Sequence, residues 1–475
     1  MQQLQTIVWF RQDLRLTDNP ALSFAAQAGT ILPVYIKDNT STHSRSMGAA
    51  SKWWLHHSLE KLQKQLDDNL LILEGDPKAI LMELCRQYGT DAVVWNRVYE
   101  PETMQRDAAI KAELKNNGIK AKSFNGSLLW EPTDVLKKDG TPYKVFTPYY
   151  RKGCLTRQSP RFPIGKPEPL QFLEHDELGS TLSSLALLPD IDWDQGFSAC
   201  WTPGEEGAKQ HLQIFRNDAL KGYKEQRNIP SVRGTSKLSP HLHFGELSPN
   251  QVWYSVKDAL PEENSDLDCY LSELGWREFS YYLLFHFPDI TTKNFQAKFD
   301  NFPWQRDQAW LRAWQKGQTG IPIVDAGMRE LWQTGYMHNR VRMIVGSFLV
   351  KNLLQDWRDG EAWFWDCLVD ADLASNTAGW QWVAGSGADA SPYFRIFNPV
   401  TQGEKFDPDG EYVKTYCPEL QQVPAKVVHK IWEAKPEVLN AVGVTLGTNY
   451  PEPIVDLKAS RQRALDAFSS IKGSK

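Results

Sequence analysis

The sequence has 475 residues, of which 41% are hydrophobic, 23% charged and 12% aromatic. This composition excludes a disordered, fibrous or membrane-embedded protein, and the length suffices for about three domains or two large ones. The formal net charge is −5 at pH 7. A globally basic nucleic-acid-binding protein is therefore excluded, and any surface for nucleic acid has to be local.

Cysteine usage and the lack of long apolar runs bear on the compartment. The six cysteines are irregularly spaced and form no CxxC pair, which argues against structural zinc and favours a reducing compartment. The N-terminal segment shows no cationic leader, and the longest apolar stretch, residues 343–350, is too short to span a bilayer. We therefore expect a cytoplasmic protein without a membrane partner and without a bound metal.

The first part of the chain alternates β-rich runs with helical patterns. Strands are predicted at residues 6–10, 31–36, 70–73, 92–95 and 119–124. Helices are predicted at residues 20–28, at 46–69, from Pro77 and after Pro101. Apolar strands separated by helices specify a parallel sheet covered on both faces. We predict a Rossmann-like α/β domain over residues 1–130, although no GxGxxG follows the first strand.

Two further regions follow. Residues 131–205 are rich in Pro, Gly, Ser and Asp, and their weak periodicity predicts a connector along the surface. Residues 206–475 show helical patterns, for example at 271–287, 322–334, 338–354 and 362–368, and no strand-like alternation. The predicted fold is therefore an α/β domain, a connector and an all-α domain.

Two motifs could bind a phosphate or clamp an aromatic base. Three hydroxyls between Thr235 and Ser239 precede a predicted helix, where they could bind a phosphate or simply cap the helix. Further along, Glu273 and Trp276 share one face of a predicted helix, with Arg277 beside them. An acid next to an indole could clamp a base, and a solvated ion pair is the alternative.

A local basic surface is predicted around residues 336–343. No Asp or Glu occurs from residue 331 to 355, whereas Arg340, Arg342 and Lys351 do. Such a surface suits phosphates. Alternatively, these arginines pair with acids elsewhere, and Asp370 and Asp372 are candidates.

The next segments are unusually polar and aromatic for a core. Residues 370–382 contain two acids, an amide and two indoles, and residues 393–406, which include Tyr393, follow the same tendency. Eleven of the 19 tryptophans lie between residues 253 and 382, and most of these rings are expected to fill a core. The pair His241 and His243 has no ligand-spaced cysteine or acid and is interpreted as structural.

Together these segments resemble the photolyase/cryptochrome family, most closely its bacterial cyclobutane pyrimidine dimer photolyases. The likeness runs from VWFRQDLRLTDNPAL near the start to FNPVTQGEKFDPDGEYV near the end. It implies an α/β domain for an antenna chromophore and a helical domain that binds FAD and DNA.

The resemblance also assigns residues to roles. Those that resemble the FAD-binding residues are Tyr223, Thr235, Ser236, Lys237, Leu238, Ser239, Arg342, Asp370, Asp372 and Asn376. Among them, Arg342 and Asp370 resemble an ion pair beside the flavin ring, and Asn376 resembles the group at flavin N5. Those that resemble the catalytic groups are Glu273, Asn339, Met343 and Asn376. Those that resemble the residues for the lesion and its DNA are Trp276, Arg277, Asn339, Arg340, Met343, Trp382, Arg395 and Gln402. Those that resemble the electron-transfer chain are Trp380, Trp357 and Trp304.

The implied function is light-driven repair of UV-damaged DNA by a monomer. Electron transfer from excited reduced FAD would split a cyclobutane dimer flipped out of the duplex. Family members that repair (6-4) photoproducts use two histidines where this chain has Asn339 and Met343, which favours cyclobutane dimers. A cryptochrome-type photoreceptor is the alternative, although plant cryptochromes typically have Asp in place of Asn376. A flavin-free protein that binds nucleotides and RNA would leave Asn376 and the indoles unexplained.

A second chromophore is also implied. In members that bind methenyltetrahydrofolate an acid follows the fourth strand, and Glu100 matches that acid. Others bind a deazaflavin. The Cys–Lys pair that accompanies the folate in one branch is not evident near Thr291, Thr292 and Lys293, yet the folate remains the favoured antenna.

Overall fold

The structure is a computed structural model that describes residues 4–40, 46–175, 181–389 and 394–471. Two compact units are present. The first comprises residues 1–193, 201–221 and 236–288, and the second residues 194–200, 222–235 and 289–475. The chain therefore enters each unit more than once. The boundaries near residues 130 and 205 stay a prediction.

A parallel sheet forms the centre of the first unit. Its strands are β1 (Leu4–Phe10), β2 (Gly29–Asp38), β3 (Leu71–Gly75), β4 (Ala92–Asn96) and β5 (Lys120–Phe124). The strand order is β3-β2-β1-β4-β5, and every pairing is parallel. Central β1 is buried on both faces from Thr6 onward, as its continuous apolar run predicts. The predicted α/β fold class is confirmed.

The helices of both units are given in chain order. They are α1 (Pro20–Ala28), α2 (Ala49–Gln65), α3 (Pro77–Tyr88), α4 (Pro101–Asn116), α5 (Phe197–Cys200), α6 (Glu205–Ile214), α7 (Tyr223–Gln226), α8 (Ser239–His243), α9 (Pro249–Ala259), α10 (Ser265–His286), α11 (Gln308–Gln315), α12 (Pro322–Thr334), α13 (Asn339–Ser347), α14 (Trp357–Cys367), α15 (Leu373–Ala384), α16 (Pro399–Phe406), α17 (Glu411–Tyr416), α18 (Ala425–Val428), α19 (Pro436–Ala441) and α20 (Leu457–Ser470).

Helix ends follow local chemistry. The side chain of Asn19 caps α1 by accepting from Leu22 N at 3.0 Å, and Pro20 occupies the first turn. Helix α2 is shorter than predicted. It ends at Gln65, and Asp67 and Asp68 then adopt positive φ angles of 50° and 61°, which a right-handed helix cannot contain.

The predicted surface connector is partly wrong. Within residues 131–205, Tyr149, Tyr150 and Cys154 are buried and belong to a π-helical turn, Pro148–Cys154. Aromatic side chains thus insert this segment into the core of the first unit. Pro- and Gly-rich composition marks an irregular backbone, but it does not determine burial.

The second unit is helical. Its described residues contain no β-strand, and its largest apolar cluster joins residues of α12, α13, α14, α15 and α17. The helix predicted over 338–354 is divided into α13 and a π-helical turn, Phe348–Asn352, which we call the π-turn. No helix in the described ranges is both long and apolar enough to cross a bilayer.

Candidate functional site

A buried ion pair lies in the second unit. Arg342 on α13 donates from Nη2 to both carboxylate oxygens of Asp370, at 2.9 and 3.1 Å, and from Nε to Met337 O at 2.7 Å. Burial alone would lower the pKa of Arg342, but the Asp370 carboxylate, with smaller contributions from Tyr336 and Glu330, more than offsets this effect, so the pKa is raised. Of the two acids that the residue pattern left open, Asp370 is therefore the partner, as the family resemblance implies.

Tyr336 links this ion pair to the hydroxyl-rich turn. Its ring centroid lies 5.1 Å from the Arg342 guanidinium. Its hydroxyl is hydrogen-bonded to Thr235, the first hydroxyl residue of the turn. Tyr336 is the first residue of the basic motif, but sequence reasoning gave it no role of its own.

Asp372 and Asn376 lie at the start of α15. Asp372 caps the helix by accepting from Ser375 N at 2.7 Å. Asn376 donates from Nδ2 to the carbonyl oxygen of Glu361 at 3.1 Å and to its carboxylate at 3.0 Å. Because both donated bonds go to Glu361, the orientation of the Asn376 amide is fixed. Glu361 is buried on α14, and no sequence signal pointed to it.

The rest of the hydroxyl turn belongs to the first unit. Ser236 is hydrogen-bonded to Tyr270, and Lys237 has a φ of 52° with its ammonium 5.6 Å from the Trp201 ring centroid. Leu238 is buried and anchors the turn, while Ser239 begins α8 and is exposed. In the second unit, the Tyr223 ring lies beneath the Arg227 guanidinium. The hydroxyls of this turn and the ammonium of Lys237 are suited to phosphate oxygens.

Trp276 on helix α10 belongs to a stack of aromatic rings. The ring of Phe146 lies 3.8 Å from the Trp276 ring, with an angle of 11° between the planes. Tyr150 also stacks on Phe146, with ring centroids 5.5 Å apart, and Gly275 packs against Tyr150, where a Cβ would approach within 2.6 Å. One face of Trp276 is therefore occupied by Phe146. Phe146 lies in the predicted connector, so sequence reasoning missed it.

Glu273 and Arg277 flank Trp276 on α10. Glu273 is half-buried. Arg277 donates to Ser127 O at 2.9 Å and to Glu278 Oε1 at 3.1 Å, and its side chain is only 14% exposed. These bonds favour a structural role for Arg277 and leave its binding of DNA a prediction.

Helix α13 carries the next predicted group. Asn339 is exposed and Met343 is half-buried one turn later, while the Arg340 side chain donates to Asn228 and lies 4.3 Å from the Phe406 ring centroid. Arg340 also approaches Met343 Sδ at 3.8 Å. The acid-free stretch thus forms a surface with Asn339, Arg340 and Met343 adjacent.

Trp382, Arg395 and Gln402 lie on separate segments of the second unit. Trp382 and Arg395 line one cleft, whereas Gln402 is half-buried on α16. Tyr393 lies outside the described residues. Their roles stay predictions.

The three predicted electron-transfer indoles contact one apolar cluster. Trp357 is fully buried and donates from Nε1 to Asn294 Oδ1 at 3.0 Å. Gly360, one helical turn later on α14, faces Trp380, because a Cβ at this position would approach within 2.2 Å of that indole. Trp304 is half-buried and packs on Phe302 at 4.4 Å. Trp380 thus packs against α14 one helical turn from Trp357.

Glu100 lies at the carboxyl end of the sheet. It precedes α4, directly after β4, and accepts from Gln12 Nε2 at 3.3 Å. The strand order reverses between β1 and β4, and ligands of open α/β sheets bind at such a point. The position of Glu100 is compatible with an antenna site, which stays a prediction.

Comparison with known proteins extends over almost the whole chain. Residues 6–169 match the family model described as DNA photolyase, and residues 270–470 match that described as the FAD binding domain of DNA photolyase. A deoxyribodipyrimidine photo-lyase of Agrobacterium fabrum is 49% identical over 98% of each chain. The chain belongs to the photolyase/cryptochrome family. Cryptochrome-2 of Arabidopsis thaliana is 38% identical over 98% of this chain and 79% of its own.

A solved structure supports the same assignment. The chain matches a bacterial class III photolyase from Agrobacterium tumefaciens with a TM-score of 0.96 and 49% identity, over 100% of this chain and 99% of the other. The family assignment and the presence of its FAD-binding domain confirm two sequence-based predictions. The roles of the individual residues are not tested by these comparisons.

Proposed function

We propose that the protein repairs UV-damaged DNA by splitting cyclobutane pyrimidine dimers with light. The observation that carries the proposal is the 49% identity to a deoxyribodipyrimidine photo-lyase over 98% of both chains. Cryptochrome-2 also aligns, but at 38% identity and over less of its own length. A monomeric, cytoplasmic enzyme is part of the proposal.

The described residues fit an FAD. The hydroxyls of Thr235, Ser236 and Ser239 supply donors for its phosphates, and the Arg342–Asp370 pair with the oriented Asn376 amide supplies polar groups for its ring. The indole N–H of Trp380 is buried and has no partner among the described residues, so an acceptor is still missing there. When bound and reduced, FAD supplies the photoexcited electron that opens the cyclobutane ring.

The side chains around the lesion are proposed to bind it and to stabilise the charge that develops on it. Trp276, backed by Phe146, offers an indole face on which a flipped base can stack, and stacking contributes about 1–3 kcal/mol per base. This offsets the few kcal/mol that flipping costs. A carboxyl at Glu273 can hydrogen-bond a pyrimidine and stabilise the negative charge that develops on it. By the family resemblance, Asn339, Met343 and Trp382 of the second unit are also proposed to bind the lesion, and Glu100 is proposed to hold a methenyltetrahydrofolate antenna.

Repair of defined lesions tests the proposal. We expect the chemically reduced protein under blue light to restore cyclobutane dimers in an oligonucleotide and to leave (6-4) photoproducts unchanged. Product analysis of each lesion, in light and in darkness, measures this. Persistence of the dimer in light would favour the photoreceptor, and repair in darkness would exclude a light-driven reaction.

Phe146 provides a test of the stacking platform. Phe146→Ala should lower the preference for dimer-containing over undamaged DNA by about two- to tenfold, since an aromatic pair contributes about 0.5–1.5 kcal/mol beyond its buried area. Competition binding measures the preference, and Phe146→Tyr, which keeps the ring, should retain it. Equal loss of both affinities in Phe146→Ala would contradict a role in lesion recognition.

A further inference from the structure

A cleft in the second unit has a buried lysine in its wall. Ser347, Lys351, Trp382, Arg395 and Phe397 contribute to its lining. Lys351 lies in the π-turn and is only 4% exposed. π-Helical turns inside helices often mark functional sites. The sequence-based role assignments did not include Lys351.

Lys351 holds the segment that carries Arg395. The Lys351 ammonium donates to the carbonyl oxygen of Arg395, and the hydroxyl of Ser347 accepts from Phe397 N at 3.2 Å. Ser347 and Lys351 are one helical turn apart, and Arg395 and Phe397 alternate along the extended segment. Two successive turns thus fix the backbone, while the Arg395 side chain remains exposed at the cleft.

Of the helices that pack against the π-turn, α13 and α15 carry no acid, whereas α14 and α20 carry Asp359, Glu361, Asp366 and Asp466. Helix α13, the π-turn and α15 contain no Asp or Glu between their first and last residues. Helices α14 and α20 also pack against the π-turn. Two of their acids have other partners, since Glu361 binds Asn376 and Asp466 binds Gln462. The charged residues of the four packed helices are Arg340, Arg342, Arg358, Asp359, Glu361, Asp366, Lys458, Arg461, Arg463 and Asp466.

Burial, with the charge of Arg395 beside it, lowers the pKa of Lys351 to about 7. A buried ammonium next to a guanidinium is costly unless an anion accompanies them. A phosphate group would neutralise both charges and accept hydrogen bonds from both side chains. The adjacent Trp382 offers a ring surface at the same cleft.

We propose that Lys351 and Arg395 together bind one phosphate group of the DNA backbone beside Trp382. This inference rests on the proposed function, because it adds a phosphate-binding residue to the same DNA surface. Lys351 has two roles in it, since it fixes the backbone of Arg395 and supplies the second positive charge.

The site predicts proton uptake on binding. A phosphate favours the charged amine, so binding at pH 8, where free Lys351 is mostly neutral, should take up close to one proton. At pH 6 the amine is already charged, and Lys351 should take up almost none. The affinity for DNA should therefore fall by about tenfold from pH 6 to pH 8 through this one group.

Calorimetry of the full-length protein tests this expectation. Binding of a dimer-containing duplex is measured at pH 6 and pH 8 in two buffers that differ in ionisation enthalpy, which gives the number of protons taken up. Lys351→Met should abolish the uptake and the tenfold pH dependence. Lys64→Met removes an exposed lysine that pairs with Glu60, and it should leave both unchanged. Equal uptake in wild type and Lys351→Met would overturn the inference.

Further measurements keep the inference testable if the Lys351→Met variant does not fold. If Lys351→Met fails to fold, the wild type still decides, because no uptake at pH 8 would overturn the inference. Arg395→Ala removes an exposed side chain and should raise the pKa of Lys351, so uptake at pH 8 should shrink; unchanged uptake would point to another group. Uptake with inorganic phosphate alone would assign the site to free anions and overturn the DNA assignment.

The two proposals fail in different ways. If the wild type neither binds nor repairs dimer-containing DNA, the proposed function fails. If it repairs dimers without proton uptake, only the phosphate site at Lys351 and Arg395 is wrong.

Discussion

Replacement of Trp304 by Phe is expected to abolish or greatly slow photoreduction of the oxidised flavin by an external reductant. Phe keeps an aromatic ring against Phe302 but cannot be oxidised as easily as an indole, so the outermost donor of the predicted chain is lost. Trp357, and Trp380 packed on α14 one turn away, would remain in place. Flavin absorbance during illumination, with reductant present, measures the rate.

A matched variant separates electron transfer from packing. Trp310 also packs against the main apolar cluster of the second unit and is also half-buried, so Trp310→Phe should photoreduce like the wild type. Chemically reduced Trp304→Phe should still repair dimers at the normal rate. Unchanged photoreduction would show that Trp304 only packs, and loss of repair in the pre-reduced variant would show damage to the structure.

The α/β part of the fold was predictable because its information is local. Apolar strands such as β1 and β4 alternate with helices that begin at prolines, for example at Pro77 and Pro101, and this alternation is visible in any window of the sequence. The π-turn was not predictable, since its residues continue the helical apolar pattern of α13. A π-helical turn contains about one residue more than an α-helical turn, and this difference does not change which residue types occur there.

The sequence indicated which residues belong to the site, but not most of the contacts that they make. The acid-free run around Arg342 indicated a basic surface but left Asp370 and Asp372 open as partners. The family resemblance singled out Asp370, and the structure shows that Asp370 pairs with Arg342 whereas Asp372 caps α15. The stack of Phe146 on Trp276 joins segments that are 130 residues apart in sequence, and no periodicity reports such a contact. The burial of Lys351 also depends on tertiary packing, which the sequence pattern does not report.

Asp370→Ala is expected to lower both the free energy of unfolding and the amount of bound flavin. It leaves the Arg342 guanidinium buried without its carboxylate, and breaking a buried ion pair costs about 3–5 kcal/mol. The Arg342 side chain is 24% exposed, so water compensates in part and we expect about 3 kcal/mol. Denaturant unfolding measures the free energy, and the ratio of flavin to protein absorbance measures the bound cofactor.

The double variant Arg342→Met/Asp370→Ala separates these two effects. It removes both charges, so no unpaired ion remains and most of the lost stability should return. The flavin content should stay low, because neither polar group is left to meet the ring. Recovery of flavin together with stability would mean that the pair supports only the packing of α13. Normal stability of the single Asp370→Ala variant would mean that the pair contributes little to holding α13 in the folded protein.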